Sequence, residues 1–201
     1  MNLPNKLTMF RVVISFFFLI FLFINAPGAK TIALCLFVAA VITDYYDGKL
    51  ARELGLTTDF GKLMDPLADK ILVSCAFISF VQIHPINISA WMPALIVSRE
   101  LGITALRMHA LSKGKVIPAD RRGKEKMASQ TTVIIFGLIA VSLKEIFDLL
   151  SRPWNIAWDR FISLGMWIFT FLIVIHTIAT GLYYFWVNRE LLEENIEEKI
   201  V

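Results

Sequence analysis

Between Ile71 and Ser98 the chain runs for 28 residues without a charged side chain. Further uncharged runs occupy Val12–Ala29, Thr31–Thr43, Met127–Leu143 and Phe161–Asn188. A helix of about 20 such residues crosses a bilayer core about 30 Å thick, and inside that core the backbone must satisfy its own hydrogen bonds. The longest run exceeds one crossing and contains a polar, Pro-bearing turn at His84–Asn87, so it divides into two helices. The expectation is an all-α polytopic membrane protein: one domain over residues 1–201, with six transmembrane helices. Composition agrees, with 57% hydrophobic residues, 16 Phe and a mean hydropathy of +0.65; a water-soluble class is excluded.

Six crossings put both termini on one side. Sixteen Lys and Arg fall on that side, whereas the other keeps Lys30, Lys144, Arg152 and Arg160. This asymmetry predicts cytoplasmic termini in a multi-pass protein of the bacterial inner (cell) membrane. The first apolar run lacks a small-residue cleavage site and is expected to be retained rather than removed as a signal peptide. Cys35 and Cys75 lie in apolar runs and read as packing residues, not as a disulfide or zinc site. No nucleic-acid partner is expected, and the acidic tail Glu190–Glu198 reads as a solvated helix end.

Against this background Asp44, Asp47, Asp65 and Asp69 stand out. The second run is too short to cross alone, so its helix must continue to about Leu50, which carries Asp44 and Asp47 into its last turns. Asp44 then lies about 20 Å from the outer face and about 10 Å below the inner one. A charge at that depth costs roughly 2.5–3.5 kcal/mol on insertion scales and marks function by default. The third helix is expected from about Leu63, with Pro66 in its first turn. Charge concentrates in the inner half of the bundle, which predicts a polar cavity open to the cytoplasm.

On a helix Asp44, Asp47, Gly48 and Ala51 share one face, and Gly61, Asp65 and Asp69 share another. Read alone, Asp65 before Pro66 is an N-cap and Asp47-Gly48 a turn pair. Read together at membrane depth, the four carboxylates form a ligand set. Oxygen donors without His or Cys suit Mg²⁺ or Mn²⁺, and four of them suit two ions about 3.5–4 Å apart around a diphosphate. Gly48 and Ala51 leave room for a close ligand, and Arg52 can fork onto phosphate oxygens.

The stretch Asp44–Asp69 reads DxxDGxxAR, eight residues, then GxxxDxxxD. It resembles, without a gap, the signature of the CDP-alcohol phosphotransferase family. Leu3–Arg11, Ser98–Arg107 and Gly123–Gln130 resemble the branch whose acceptor is sn-glycerol 3-phosphate, so similarity covers most of residues 1–135. The last two helices are similar only in length and apolarity. The resemblance implies a metal-dependent transfer of a phosphatidyl group from CDP-diacylglycerol to an alcohol, releasing CMP. It implies that Asp44, Asp47 and Asp65 hold one ion, that Asp44, Asp65 and Asp69 hold the other, and that Asp69 takes the proton of the attacking hydroxyl. It further implies a CDP-lipid site of Thr8, Arg11, Gly48, Ala51, Arg52, Thr58 and Gly61, a membrane-lipid environment, and a homodimer.

A phosphorylated acceptor needs cations of its own. Arg99, Arg107, Lys124 and Lys126 are the candidates for its phosphate; Lys113–Arg122 reads as a topogenic or headgroup patch. The alternatives are a cardiolipin synthase of the same family with phosphatidylglycerol as acceptor, a membrane prenyltransferase, and a divalent-ion transporter. Prenyltransferases set further acids where this chain has Gly48, Ala51 and Arg52, and a transporter would continue its polar residues to the far side.

Overall fold

A computed structural model describes the backbone of residues 3–54, 70–112, 121–187 and 189, with side chains at 9–44, 70–108, 110, 111, 126–187 and 189. Among the described residues there are six helices and no strand. They are α1 (Leu3–Phe23), α2 (Ala29–Leu54), α3 (Lys70–Ser79), α4 (Trp91–Ser112), α5 (Arg121–Leu149) and α6 (Ile156–Val187). The helices predicted over Val12–Ala29, Met127–Leu143 and Phe161–Asn188 are thus present, longer or shifted by a few residues. The 28-residue run divides as expected, around a segment containing a cis His84–Pro85 bond. The expected start of α3 near Leu63 lies outside the described residues.

Local chemistry sets the element ends. Pro27 and Gly28 take the two central positions of a turn closed by Ala29 N–H donating to Ala26 O at 3.1 Å. Gly28 has φ +79°, as the third position of a type II turn requires. Asn155 caps α6, its Oδ1 accepting from Ala157 N–H at 2.9 Å. Asp159 follows in the first turn of α6, where the helix dipole favours an acid. α2 is capped from another helix: the Glu145 carboxylate of α5 accepts from the N–H groups of Lys30 and Thr31, both at 3.1 Å. Lys30 Nζ turns back onto the last carbonyls of α1, at 2.7 Å from Leu22 O and 2.9 Å from Ile24 O. Glu145→Ala strips this cap, and its expected cost is about 1–2 kcal/mol. Thermal unfolding in detergent should show a fall of a few degrees with the Michaelis constants unchanged; an unaltered melting curve would refute the cap.

α1 packs on α2, α2 and α6 both pack on α5, and α4 packs on α6. Phe18, Phe37, Phe77, Phe80, Ile134, Leu138 and Met166 are fully buried between them. Gly137 is required there, since a Cβ would sit 2.8 Å from Met166 Cε and 2.9 Å from Phe80. The outside is as apolar as the inside: Phe16, Phe161, Leu182 and Trp186 are each at least 65% exposed. Lys126, Gln130, Thr170 and Thr177 are buried instead. Water disfavours this distribution. By length and apolarity α6, with 32 residues, is the one described helix that would cross a bilayer unaided.

Candidate active site

Polar side chains gather at both ends of the bundle. At the end where α2, α4 and α6 start, Lys144 of α5 bridges His84 Nδ1 at 3.1 Å and Asp159 at 2.8 Å. A cavity of about 570 Å³ opens there, lined by His84, Asp159, Arg160 and Trp167 among others. None of the sequence-predicted site residues lines it. Those that are described lie at the opposite end.

There, α1 and α2 contribute an ion pair between the buried Arg11 and Asp44. The position of Arg11 is fixed by the bundle interior, and the Ser15 hydroxyl donates to Arg11 O at 2.8 Å. α2 stays helical from Ala29 to Leu54, so the backbone carries positions 44, 47, 48 and 51 on one face, as the spacing predicts. Arg11, expected to line the CDP-lipid site, has its guanidinium on Asp44.

The second cluster centres on Glu100 of α4. Lys70, the first residue of α3, puts Nζ 3.1 Å from Glu100 Oε2 and 3.4 Å from Glu100 O. Arg99 Nη1 lies 3.4 Å from Oε1, and the Lys126 ammonium of α5 also binds Oε1. The Lys126 side chain is 4% exposed and that of Glu100 12%. The Thr104 hydroxyl donates to Glu100 O at 2.8 Å, steadying the same turn. α6 closes the cluster. Arg99 Nη2 donates to Thr180 Oγ1 at 3.2 Å. Arg107, two turns further along α4, donates from Nε to the Tyr184 hydroxyl at 2.9 Å.

Among the described residues, Lys70, Arg99 and Lys126 all converge on the one carboxylate of Glu100. Arg99 Nε and Gln130 Nε2 are buried there without a hydrogen-bond partner among the described residues. Buried donors without partners are rare in a finished core; here they stand beside converging basic side chains, a setting that suits an anionic ligand. Lys70 is covalently next to position 69, so this cluster begins one peptide bond from the last aspartate of the motif.

Of the predicted residues, Arg99 and Lys126 come together on Glu100, Arg107 stands beside them, and Asp44 meets Arg11. Thr8, Asp47, Gly48, Ala51, Arg52 and Lys124 are described as backbone only, and Thr58, Gly61, Asp65 and Asp69 lie outside the described residues. Sequence reasoning foresaw Glu100 as a partner of Arg99 and missed Lys70, Thr180 and Tyr184. A signal existed in α6, where Thr177, Thr180, Gly181 and Tyr184 repeat at helical spacing within an apolar run.

Comparison with known proteins places the chain in a family. Residues 1–159 match the family model described as CDP-alcohol phosphatidyltransferase. A Bacillus subtilis protein named CDP-diacylglycerol–glycerol-3-phosphate 3-phosphatidyltransferase is 36% identical over 96% of this chain and 97% of its own length. A Rickettsia bellii protein of the same name is 35% identical over 92% of this chain and 93% of its own. A probable phosphatidylglycerophosphate synthase of Mycobacterium tuberculosis is 40% identical over 71% of this chain and 67% of its own. The match extends through the α2 motif and the Glu100 cluster, and the chain belongs to the CDP-alcohol phosphatidyltransferase family.

Proposed function

We propose that this chain transfers the phosphatidyl group of CDP-diacylglycerol to sn-glycerol 3-phosphate, releasing CMP and forming phosphatidylglycerophosphate. The observation that carries the acceptor assignment is the convergence of Lys70, Arg99 and Lys126 on Glu100, beside the buried Arg99 Nε and Gln130 Nε2, which have no hydrogen-bond partner among the described residues. Cations already gathered around a carboxylate need little reorganisation to receive phosphate oxygens. Arg107 and Lys124 extend the same surface.

The donor half rests on the aspartates. Their all-oxygen donor set fits Mg²⁺ or Mn²⁺, and the continuous α2 helix puts Asp44 and Asp47 one turn apart. In this reading Asp44, Asp47 and Asp65 hold one ion, and Asp44, Asp65 and Asp69 the other. Bound there, two divalent ions would neutralise the diphosphate and the charge that develops on departing CMP. Arg11 fixes the orientation of Asp44. Gly48, Ala51 and Gly61 give the nucleotide diphosphate close access to the backbone, and Thr8, Arg52 and Thr58 line it. Asp69 takes the proton of the acceptor hydroxyl as that oxygen attacks the phosphatidyl phosphorus.

The same reading makes residues 1–201 one membrane domain with six crossings, cytoplasmic termini and a cytoplasm-facing site. The apolar exterior supports it, as does the gathering of cations at one end of the bundle. A homodimer belongs to it by the family resemblance.

Purified protein given CDP-diacylglycerol, Mg²⁺ and one acceptor at a time tests the proposal. CMP release is expected with glycerol 3-phosphate and not with serine, inositol or phosphatidylglycerol. Release with phosphatidylglycerol but not with glycerol 3-phosphate would overturn the acceptor assignment. No CMP with any acceptor would overturn the reaction.

A further inference from the structure

We infer that one face of α6, formed by Thr180, Gly181 and Tyr184, positions the two arginines that receive the acceptor phosphate. The inference rests on the acceptor reading above and deepens it.

α6 has a mean hydropathy of 2.1 over its most apolar window. Yet Thr177, Thr180, Gly181 and Tyr184 lie at i, i+3, i+4 and i+7, on one face. That face meets Arg99 and Arg107 of α4. Each contact constrains an arginine without neutralising it. The Thr180 hydroxyl bonds back to His176 O at 2.8 Å, which directs its acceptor side to Arg99 Nη2 at 3.2 Å. At Gly181 the Arg99 stem lies against bare helix backbone: a Cβ there would sit 3.0 Å from Arg99 Cγ and 3.3 Å from Nε. Tyr184 accepts from Arg107 Nε at 2.9 Å, and its ring lies 5.3 Å from the guanidinium carbon.

The choice of groups explains the device. A long arginine left free on a helix spends rotamer entropy whenever it binds an anion. A carboxylate, such as the Glu100 that Arg99 also meets, fixes an arginine but offsets the charge a phosphate needs. Neutral hydroxyls fix it and leave the charge in place. Held at Nε, Arg107 keeps both Nη groups for phosphate oxygens. Thr180, Gly181 and Tyr184 are therefore positioning residues, acting on the acceptor through Arg99 and Arg107.

The test is a kinetic cycle on full-length protein: wild type, Tyr184→Phe, Arg107→Ala and the double variant, each with glycerol 3-phosphate and CDP-diacylglycerol varied separately. Tyr184→Phe should raise KM for glycerol 3-phosphate about fivefold while KM for the lipid stays within about twofold. In the Arg107→Ala background the same change should add nothing. Gly181→Ala, which reaches Arg99 rather than Arg107, should give the same selective rise. An unchanged KM for glycerol 3-phosphate in both Tyr184→Phe and Gly181→Ala overturns the inference. So does an equal rise in both Michaelis constants, or a full Tyr184→Phe effect without Arg107. These results are read in a wild type that uses glycerol 3-phosphate; a wild type that does not refutes the acceptor reading itself and takes the inference with it.

Discussion

Asp69→Asn is expected to lower turnover by about 10³-fold or more while leaving a folded protein. The substitution keeps size and shape and removes charge and basicity. If Asp69 both accepts the hydroxyl proton and helps to hold a divalent ion, the two losses fall on the same step. Its neighbour sharpens the prediction. Lys70 is bonded directly to it and reaches Glu100 at 3.1 Å, so the proposed base and the acceptor cluster fall on adjoining residues of the sequence. The acceptor hydroxyl and its phosphate, a few bonds apart in glycerol 3-phosphate, would then meet groups from adjoining residues. The check is CMP release across a Mg²⁺ titration, with melting curves for both proteins. A loss that persists at saturating Mg²⁺, with an unchanged melting temperature, supports the base. Recovery of turnover at high Mg²⁺ would reduce Asp69 to a metal ligand, and near wild-type turnover at ordinary Mg²⁺ would remove it from the chemistry.

What the sequence made legible was whatever has a local period. The uncharged runs located the helices because a bilayer permits little else. The 44–51 spacing is an i, i+3, i+4, i+7 pattern that needs no partner to be read, and α2 is helical through it. Partner choice was another matter. Glu100 follows Arg99 in sequence, and its other two cations come from positions 70 and 126, on different helices; nothing local announces that three chains of contact converge there. Tyr184 reads alone as an interfacial aromatic, and Thr180 as a hydroxyl bonded to its own helix, which it is, to His176 O. Its second role needs α4 beside it. The last helix, most of which lies beyond the family model's residues 1–159, thus carries contacts that a motif cannot reveal.

Glu100→Ala is expected to be the most destabilising single change at this end of the bundle. The carboxylate is 12% exposed, and the three cations on it, Lys70, Arg99 and Lys126, are 21%, 14% and 4% exposed. Two like charges about 5 Å apart repel by about 3 kcal/mol at an effective dielectric near 20. Breaking a buried pair by deleting one partner costs about 3–5 kcal/mol, which for a chain of this size lowers the melting temperature by about 10 °C. If uncompensated charge is the cause, two remedies should work. Deleting a cation as well, in Glu100→Ala/Lys126→Met, should recover much of the loss. Glycerol 3-phosphate at millimolar concentration should raise the melting temperature of Glu100→Ala more than that of wild type, because a dianion fits the vacated centre. Thermal unfolding in detergent reads all three. A Glu100→Ala protein as stable as wild type would mean that water balances the cations. A stability loss that neither remedy reduces would make Glu100 a packing residue, and the basic cluster would no longer argue for a phosphate.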